Sequence, residues 1–178
     1  MYSIDSQAEG DDMERLCLNG QWQMQQIGWE EWIPAQVPGS VYHDLLNAEK
    51  MEDPFWRCNE MDALALMEHD YQYTRSFTVE KSFLEHDEIS LHCAGLDTLA
   101  EITVNGQIVG KADNMHREWN YDVKKYLTEG ENSIAVEVLR YPMNSRKGNY
   151  GVFRTEPPGL YVKEKPGKVS LGLNADAT

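Results

Sequence analysis

The sequence is short of cysteine, of basic residues and of long apolar runs. Its three cysteines, Cys17, Cys58 and Cys93, are odd in number and far apart. That spacing excludes a disulfide framework of the kind that staples small secreted domains, and it points to a reducing cytoplasm. No apolar run approaches the roughly 20 residues needed to cross a bilayer, so no membrane partner is expected. The opening stretch, MYSIDSQAEGDDMERLC, carries five acids before its first base, Arg15. It lacks the basic and apolar regions of a secretory signal. Lys and Arg number 16 against 30 Asp and Glu, for a formal net charge of -14. Such a surface repels nucleic acid, and solubility alone accounts for it.

Catalytic and metal signatures are equally scarce. There is no Cys-x-x-Cys and no His-x-x-x-His. His92 and Cys93 are neighbours on a predicted strand, so they point to opposite faces and cannot share an ion. Cys93 reads as a small core residue. No metal and no cofactor are expected. No Gly-x-Ser-x-Gly elbow, Gly-x-Gly-x-x-Gly turn or Walker loop occurs, which removes the usual signs of a serine hydrolase or a nucleotide site. A catalytic cysteine would need a base beside it, and no spacing supplies one. Paired carboxylates would permit glycoside hydrolysis, and Glu60 is the tempting member of such a dyad. Its plainer role is a loop carboxylate that caps a turn or the following helix. No second acid is identified, so spacing alone assigns no catalytic residue.

What is present is a β pattern. With 178 residues, 41% of them apolar, the chain suits one globular domain. Residues 1–12 read as a disordered acidic tail and 13–178 as a single β-sandwich domain. Strands are expected near Arg15–Leu18 and Gln21–Ile27, around the tight-turn signal Asn19-Gly20, followed by a less regular aromatic stretch with Trp29 and Trp32. Ser40 can cap a short helix from Val41 to about Ala48, which Asp53-Pro54 would stop from continuing. MDALALMEHD fits either a second short helix or a wrapping loop. From Tyr71 the period changes to two. In YQYTRSFTV, Tyr71, Tyr73, Phe77 and Val79 share one face with Arg75, which must find a partner if it is buried. EISLHCAG, a hairpin around Asn105-Gly106, HREWNYDV and ENSIAVEVLRY continue the alternation. Beyond Tyr141 comes a long Gly- and Pro-rich excursion, then one last strand near Lys168–Leu173. Short strands, hairpin turns and one or two short helices predict an all-β, antiparallel β-sandwich.

Aromatic residues stand out: Trp22, Trp29, Trp32, Phe55, Trp56 and Trp119. Flat rings stack on the apolar C–H faces of sugars, while carboxylates and amides suit sugar hydroxyls. Phe55, Trp56, Arg57, Asn59 and Glu60 together have the chemistry of a sugar contact. The alternative is that such rings plug the ends of a sandwich.

The run WIPAQVPGSVYHDLLNAEKMEDPFWRCNE closely resembles the N-terminal domain of β-mannosidases in glycoside hydrolase family 2. The family pattern V-P-G-S-V-x-x-D-L-L, then D-P-F-[YW] and N-E, falls on Val37–Val41, Asp44–Leu46, Asp53–Trp56 and Asn59–Glu60. The likeness continues through LNGQWQM, YQYTRSFTV, Ala94–Val123 and Leu127–Leu139, and covers about residues 15–140. It implies a jelly-roll, galactose-binding-like sandwich that packs against an immunoglobulin-like domain and a (β/α)8 barrel. In the family the barrel carries both catalytic glutamates. The Asn59-Glu60 pair lies in the domain's own motif, so no acid/base role passes to Glu60. The family's W-D-W-G-P segment has no counterpart here. Arg146, Lys147 and Tyr150 fit the run before it, but the chain then reads GVFRTEPPGLYV, closer to the family's β-galactosidase side.

The resemblance implies a non-catalytic domain of an exo-acting β-glycosidase. That domain braces the barrel and lines the cleft for a terminal β-linked sugar, with Phe55, Trp56, Arg57, Asn59 and Glu60 at the cleft. A free-standing carbohydrate-binding module is the alternative. A purely structural domain that touches only its neighbours is a third.

Overall fold

The computed structural model describes residues 14–140, together with the backbone of strands at 160–161 and 168–172. The acidic stretch 1–12, and Arg146, Lys147 and Tyr150, lie outside the described residues.

Among the described residues there are two sheets. The larger has six strands: β2 (Gly20–Gln26), β3 (Ile33–Val37), β4 (Tyr71–Val79), β6 (Leu99–Val104), β7 (Gln107–Ala112) and β9 (Gly130–Leu139). Their order is β3-β2-β4-β9-β6-β7, with every pairing antiparallel. The smaller sheet contains β1 (Arg15–Cys17), β5 (Glu88–Cys93), β8 (Trp119–Asp122), β10 (Leu160–Tyr161) and β11 (Lys168–Gly172). Here β8 and β10 run antiparallel to β5, whereas β11 runs parallel to both β1 and β5. The expected antiparallel sandwich is therefore present, with two parallel pairings made by the last strand.

Alternation puts the core between the sheets. Tyr71, Tyr73, Phe77 and Val79 of β4 are buried, as are Ile134 and Val136 of β9 and Ile89, Leu91 and Cys93 of β5. They form one apolar cluster with Met24, Leu96 and Ile102. Arg75 breaks the apolar face of β4 and is satisfied there. Its Nη1 donates to the carbonyls of Leu18 at 2.8 Å and Asn19 at 2.6 Å. Trp22 Nε1 donates to the same Leu18 carbonyl at 2.8 Å.

Those bonds hold a crossing. Asn19-Gly20 does not close a hairpin, because β1 and β2 belong to different sheets. Gly20, at φ 113°, carries the chain from one sheet to the other. The Asn105-Gly106 signal does make its hairpin, with φ of 50° and 74° and β6 paired to β7. Both residues at positive φ is what the tightest two-residue turn demands.

The expected irregular stretch after Trp32 is partly a strand, β3, which the pattern analysis missed. Ile33, Ala35 and Val37 are buried while Pro34 and Gln36 are exposed. Proline usually argues against a strand, but β3 is an edge, where a missing N–H costs nothing. MDALALMEHD resolves towards the helix, α2 (Asn59–Leu66), preceded by α1 (Val41–Asn47) and followed by the one-turn α3 (Lys81–Leu84).

Candidate functional site

The family-like segment 37–60 divides into an anchored half and a projecting half. In the anchored half, Gly39 packs against the Gln36 carbonyl so closely that any Cβ there would collide with it. Ser40 is the N-cap of α1, its hydroxyl accepting the His43 N–H at 3.2 Å. Val41 and Leu45 turn inward and are buried.

Asp44 is buried with them, at 1% exposure. Its Oδ1 accepts the Gln36 N–H at 3.0 Å and its Oδ2 the Tyr73 hydroxyl at 3.0 Å. Burial pushes the Asp44 carboxyl up from its ordinary value, and the bonds from Gln36 and Tyr73 and the nearby His43 only partly offset this. One carboxylate thus ties α1 to β3 and β4. The aspartate of the D-L-L run is structural.

The projecting half begins at Asp53. Its Oδ1 accepts the Phe55 N–H at 2.9 Å, and its carbonyl accepts the Trp56 N–H at 3.1 Å and the Asn59 amide Nδ2 at 3.0 Å. The Asn59 N–H closes the loop on the Trp56 carbonyl at 3.2 Å. Arg57 sits at φ 56° with its guanidinium 5.9 Å from the Trp56 ring centroid.

Of the residues singled out from the sequence, Phe55 is 96% exposed and Trp56 64%. Arg57 and Glu60 are also exposed, and Asn59 is half-buried with its amide turned to Asp53. Glu60 stands inside the first turn of α2 with Asp62, not in a loop, and no side chain caps that helix, so it is not the capping carboxylate of the plainer alternative. An acid there meets the positive end of the helix dipole. The loop and α2 border a cavity of about 450 Å³ lined by Lys50, Met51, Glu52, Asn59, Asp62, Ala65, Leu66 and His69. Sequence reasoning did not find this cavity, since its walls come from two separate stretches.

The six prominent aromatics fall into two groups. Trp22 is 4% exposed and belongs to the core. Trp29 and Trp119 are partly buried against the core, and Trp119 stacks on Tyr121 at 6.3 Å. Plugging the sandwich accounts for these three. It does not account for Trp32, which is exposed just before β3, or for Phe55 and Trp56, the two most exposed of the six.

His92 and Cys93 diverge as the strand geometry requires. Cys93 is fully buried in the core, and burial pushes its thiol pKa far up. The His92 Nδ1 lies 2.8 Å from Asn120 Oδ1 of β8. Among the described residues no group of three or more His, Cys, Asp or Glu side chains could hold a metal ion. No described helix is long and apolar enough to cross a membrane.

Comparison with known proteins agrees with this anatomy. The β-mannosidase of Capra hircus is 29% identical over 121 residues, which is 68% of this chain and 14% of that protein. The crystal structure of a β-D-mannosidase from Dictyoglomus thermophilum superposes with a TM-score of 0.69 at 37% identity, over 70% of this chain and 15% of that one. The exo-chitosanase CsxA of Amycolatopsis orientalis shares the fold, with a TM-score of 0.62 at 20% identity over 72% of this chain and 17% of that one. The chain therefore spans about one-seventh of the length of the mannosidases it matches. The family profile described as "Glycosyl hydrolase 2 galactose-binding domain-like" matches residues 22–164. With four-fifths of its length in that profile, the chain belongs to the glycosyl hydrolase 2 galactose-binding domain-like family.

Proposed function

We propose that residues 13–178 form the non-catalytic N-terminal domain of a family 2 exo-β-glycosidase of the β-mannosidase type. The whole enzyme hydrolyses a terminal β-glycosidic bond with retention, using two carboxylates of a (β/α)8 barrel. This domain braces the barrel alongside an immunoglobulin-like domain. Its Phe55–Glu60 segment lines one side of the sugar cleft. Three free cysteines support a cytoplasmic enzyme.

The observation that carries this is the exposure of Phe55 and Trp56 on a loop that hydrogen bonds to Asp53 and Trp56 hold in place. Large rings left in water on a fixed support suit a partner surface that is flat and partly apolar. A sugar ring has such a face, and carboxylates such as Glu60 suit its hydroxyls. Glu60 is exposed in the first turn of α2, a setting that suits contact with a sugar hydroxyl.

The purified 178-residue chain is expected to show no hydrolysis of aryl β-mannosides or β-galactosides. In the full-length enzyme, Trp56→Ala should raise KM for the same substrates. Turnover by the isolated chain that Glu60→Gln abolishes would overturn the proposal. Calorimetric binding of manno-oligosaccharides by the isolated chain, lost in Trp56→Ala, would favour a free-standing carbohydrate-binding module instead.

A further inference from the structure

Phe55 and Trp56 pose a physical problem. Rings as exposed as these, at 96% and 64%, would on a loose loop spend much of their time collapsed onto nearby apolar surface. The 53–59 loop is not loose. Asp53 binds it from both ends, with its carboxylate on the Phe55 N–H and its carbonyl on the Trp56 N–H and the Asn59 amide. The Asn59 N–H returns to the Trp56 carbonyl. Arg57 is held in the left-handed region at φ 56°. Side chains other than glycine resist that conformation, which persists only where the surroundings over-determine it and which gathers at functional sites. The four hydrogen bonds fix backbone at 55–59, and none of them buries a ring.

We propose that Asp53 and Asn59 are positioning residues for Trp56. They hold the indole clear of the protein as a preformed stacking face for the C–H side of a sugar. Arg57, 5.9 Å from the ring centroid, sets the tilt of the indole from its strained backbone. The inference rests on the proposed cleft role of Phe55–Glu60. Preorganisation of this kind lowers the ordering cost of binding, so its loss appears in KM and leaves kcat nearly untouched.

Two measurements separate the positioning role from the cleft role. The first is 19F NMR of the 178-residue chain labelled with 5-fluorotryptophan. Asp53→Ala and Asn59→Ala are expected to move the Trp56 resonance towards its random-coil position. Asp53→Asn keeps an Oδ1 acceptor for the Phe55 N–H and should leave the resonance in place. The second is kinetics of the full-length enzyme on an aryl β-mannoside. Asp53→Ala and Asn59→Ala should each raise KM about tenfold with kcat within about twofold, and Asp53→Asn should stay within about twofold in both. Melting curves check that each variant folds. A Trp56 resonance unmoved by either alanine variant overturns the positioning role. Equal rises in KM for Asp53→Ala and Asp53→Asn overturn it as well, because the carboxylate charge would then be what matters. A shifted resonance combined with an unchanged KM in Trp56→Ala overturns the cleft role and leaves the positioning of the ring intact.

Discussion

Asp44 and the tryptophans show how differently one residue type can behave within a short stretch. The Asp44 carboxyl is raised mainly by burial. In the folded chain it therefore keeps its proton to a higher pH than it does unfolded, where it titrates near 3.9. Between the two values the native state binds more protons, so stability from this group is lost as pH rises through that window. Asp44→Asn has no such titration. In urea unfolding followed from about pH 3.5 to 7, stability of the parent relative to Asp44→Asn should decline with rising pH. A relative gain would mean that the anion, not the acid, is the form the fold prefers. Trp22 and Trp56 make the second contrast. Trp22→Ala removes a ring from the core and should cost about 3–5 kcal/mol. Trp56→Ala, at an exposed position, should stay within about 0.5 kcal/mol by the same urea titration. Local sequence puts Trp22 on a strand and Trp56 beside an Asp-Pro break, but it does not say which ring is buried. Period-two alternation places Trp22 on the inner face of β2 only once β2 is known to be covered by a second sheet.

At the scale of elements, α1 was legible because its signals are local. Ser40 and Asp53-Pro54 both lie within a few residues of the helix, and the cap bond to His43 forms as expected. Ser40→Ala should lower stability by about 1 kcal/mol, read as a reduced midpoint of thermal or urea unfolding with unchanged cooperativity. The Asn105-Gly106 hairpin was legible for the same reason. It is also reinforced from a distance. Asn105 Nδ2 donates to the Tyr126 carbonyl and to Asn132 Oδ1, both at 2.8 Å, and its Oδ1 accepts the Ser133 N–H at 2.8 Å. Asn132, 2% exposed, donates in turn to the carbonyls of Thr128 and Gly130. Elements whose identity depends on a neighbour were not legible. Strand β3 carries a proline that only its edge position excuses, and Asn19-Gly20 makes a crossing because the partner of β1 is β11, more than 150 residues along the chain.

At the scale of the whole molecule, β11 is the closing strand. It lies between β1 and β5, in parallel register with both, pairing Arg15 with Ser170 and Ile89 with Val169. Removal of residues 168–178 would leave β1 without its described pairing and open the edge of β5 over the buried Leu91 and Cys93. Such a chain should lose its cooperative urea transition and bind a hydrophobic dye, whereas loss of residues 1–12 should leave the transition unchanged.

The sequence by itself determined the all-β class, the capped helix, the hairpin at Asn105 and the family, because alternation, capping and a long linear motif are carried by neighbours along the chain. It also marked Phe55–Glu60 as the stretch to examine. Only the tertiary structure decided which sheet each strand joined, that the last strand pairs in parallel, and that Asp44 is a buried tie between α1, β3 and β4. It alone separated the ring of Trp22 in the core from the ring of Trp56 in water. Exposure and pairing are properties of what lies across from a residue, and residues that face one another here are often many tens of positions apart.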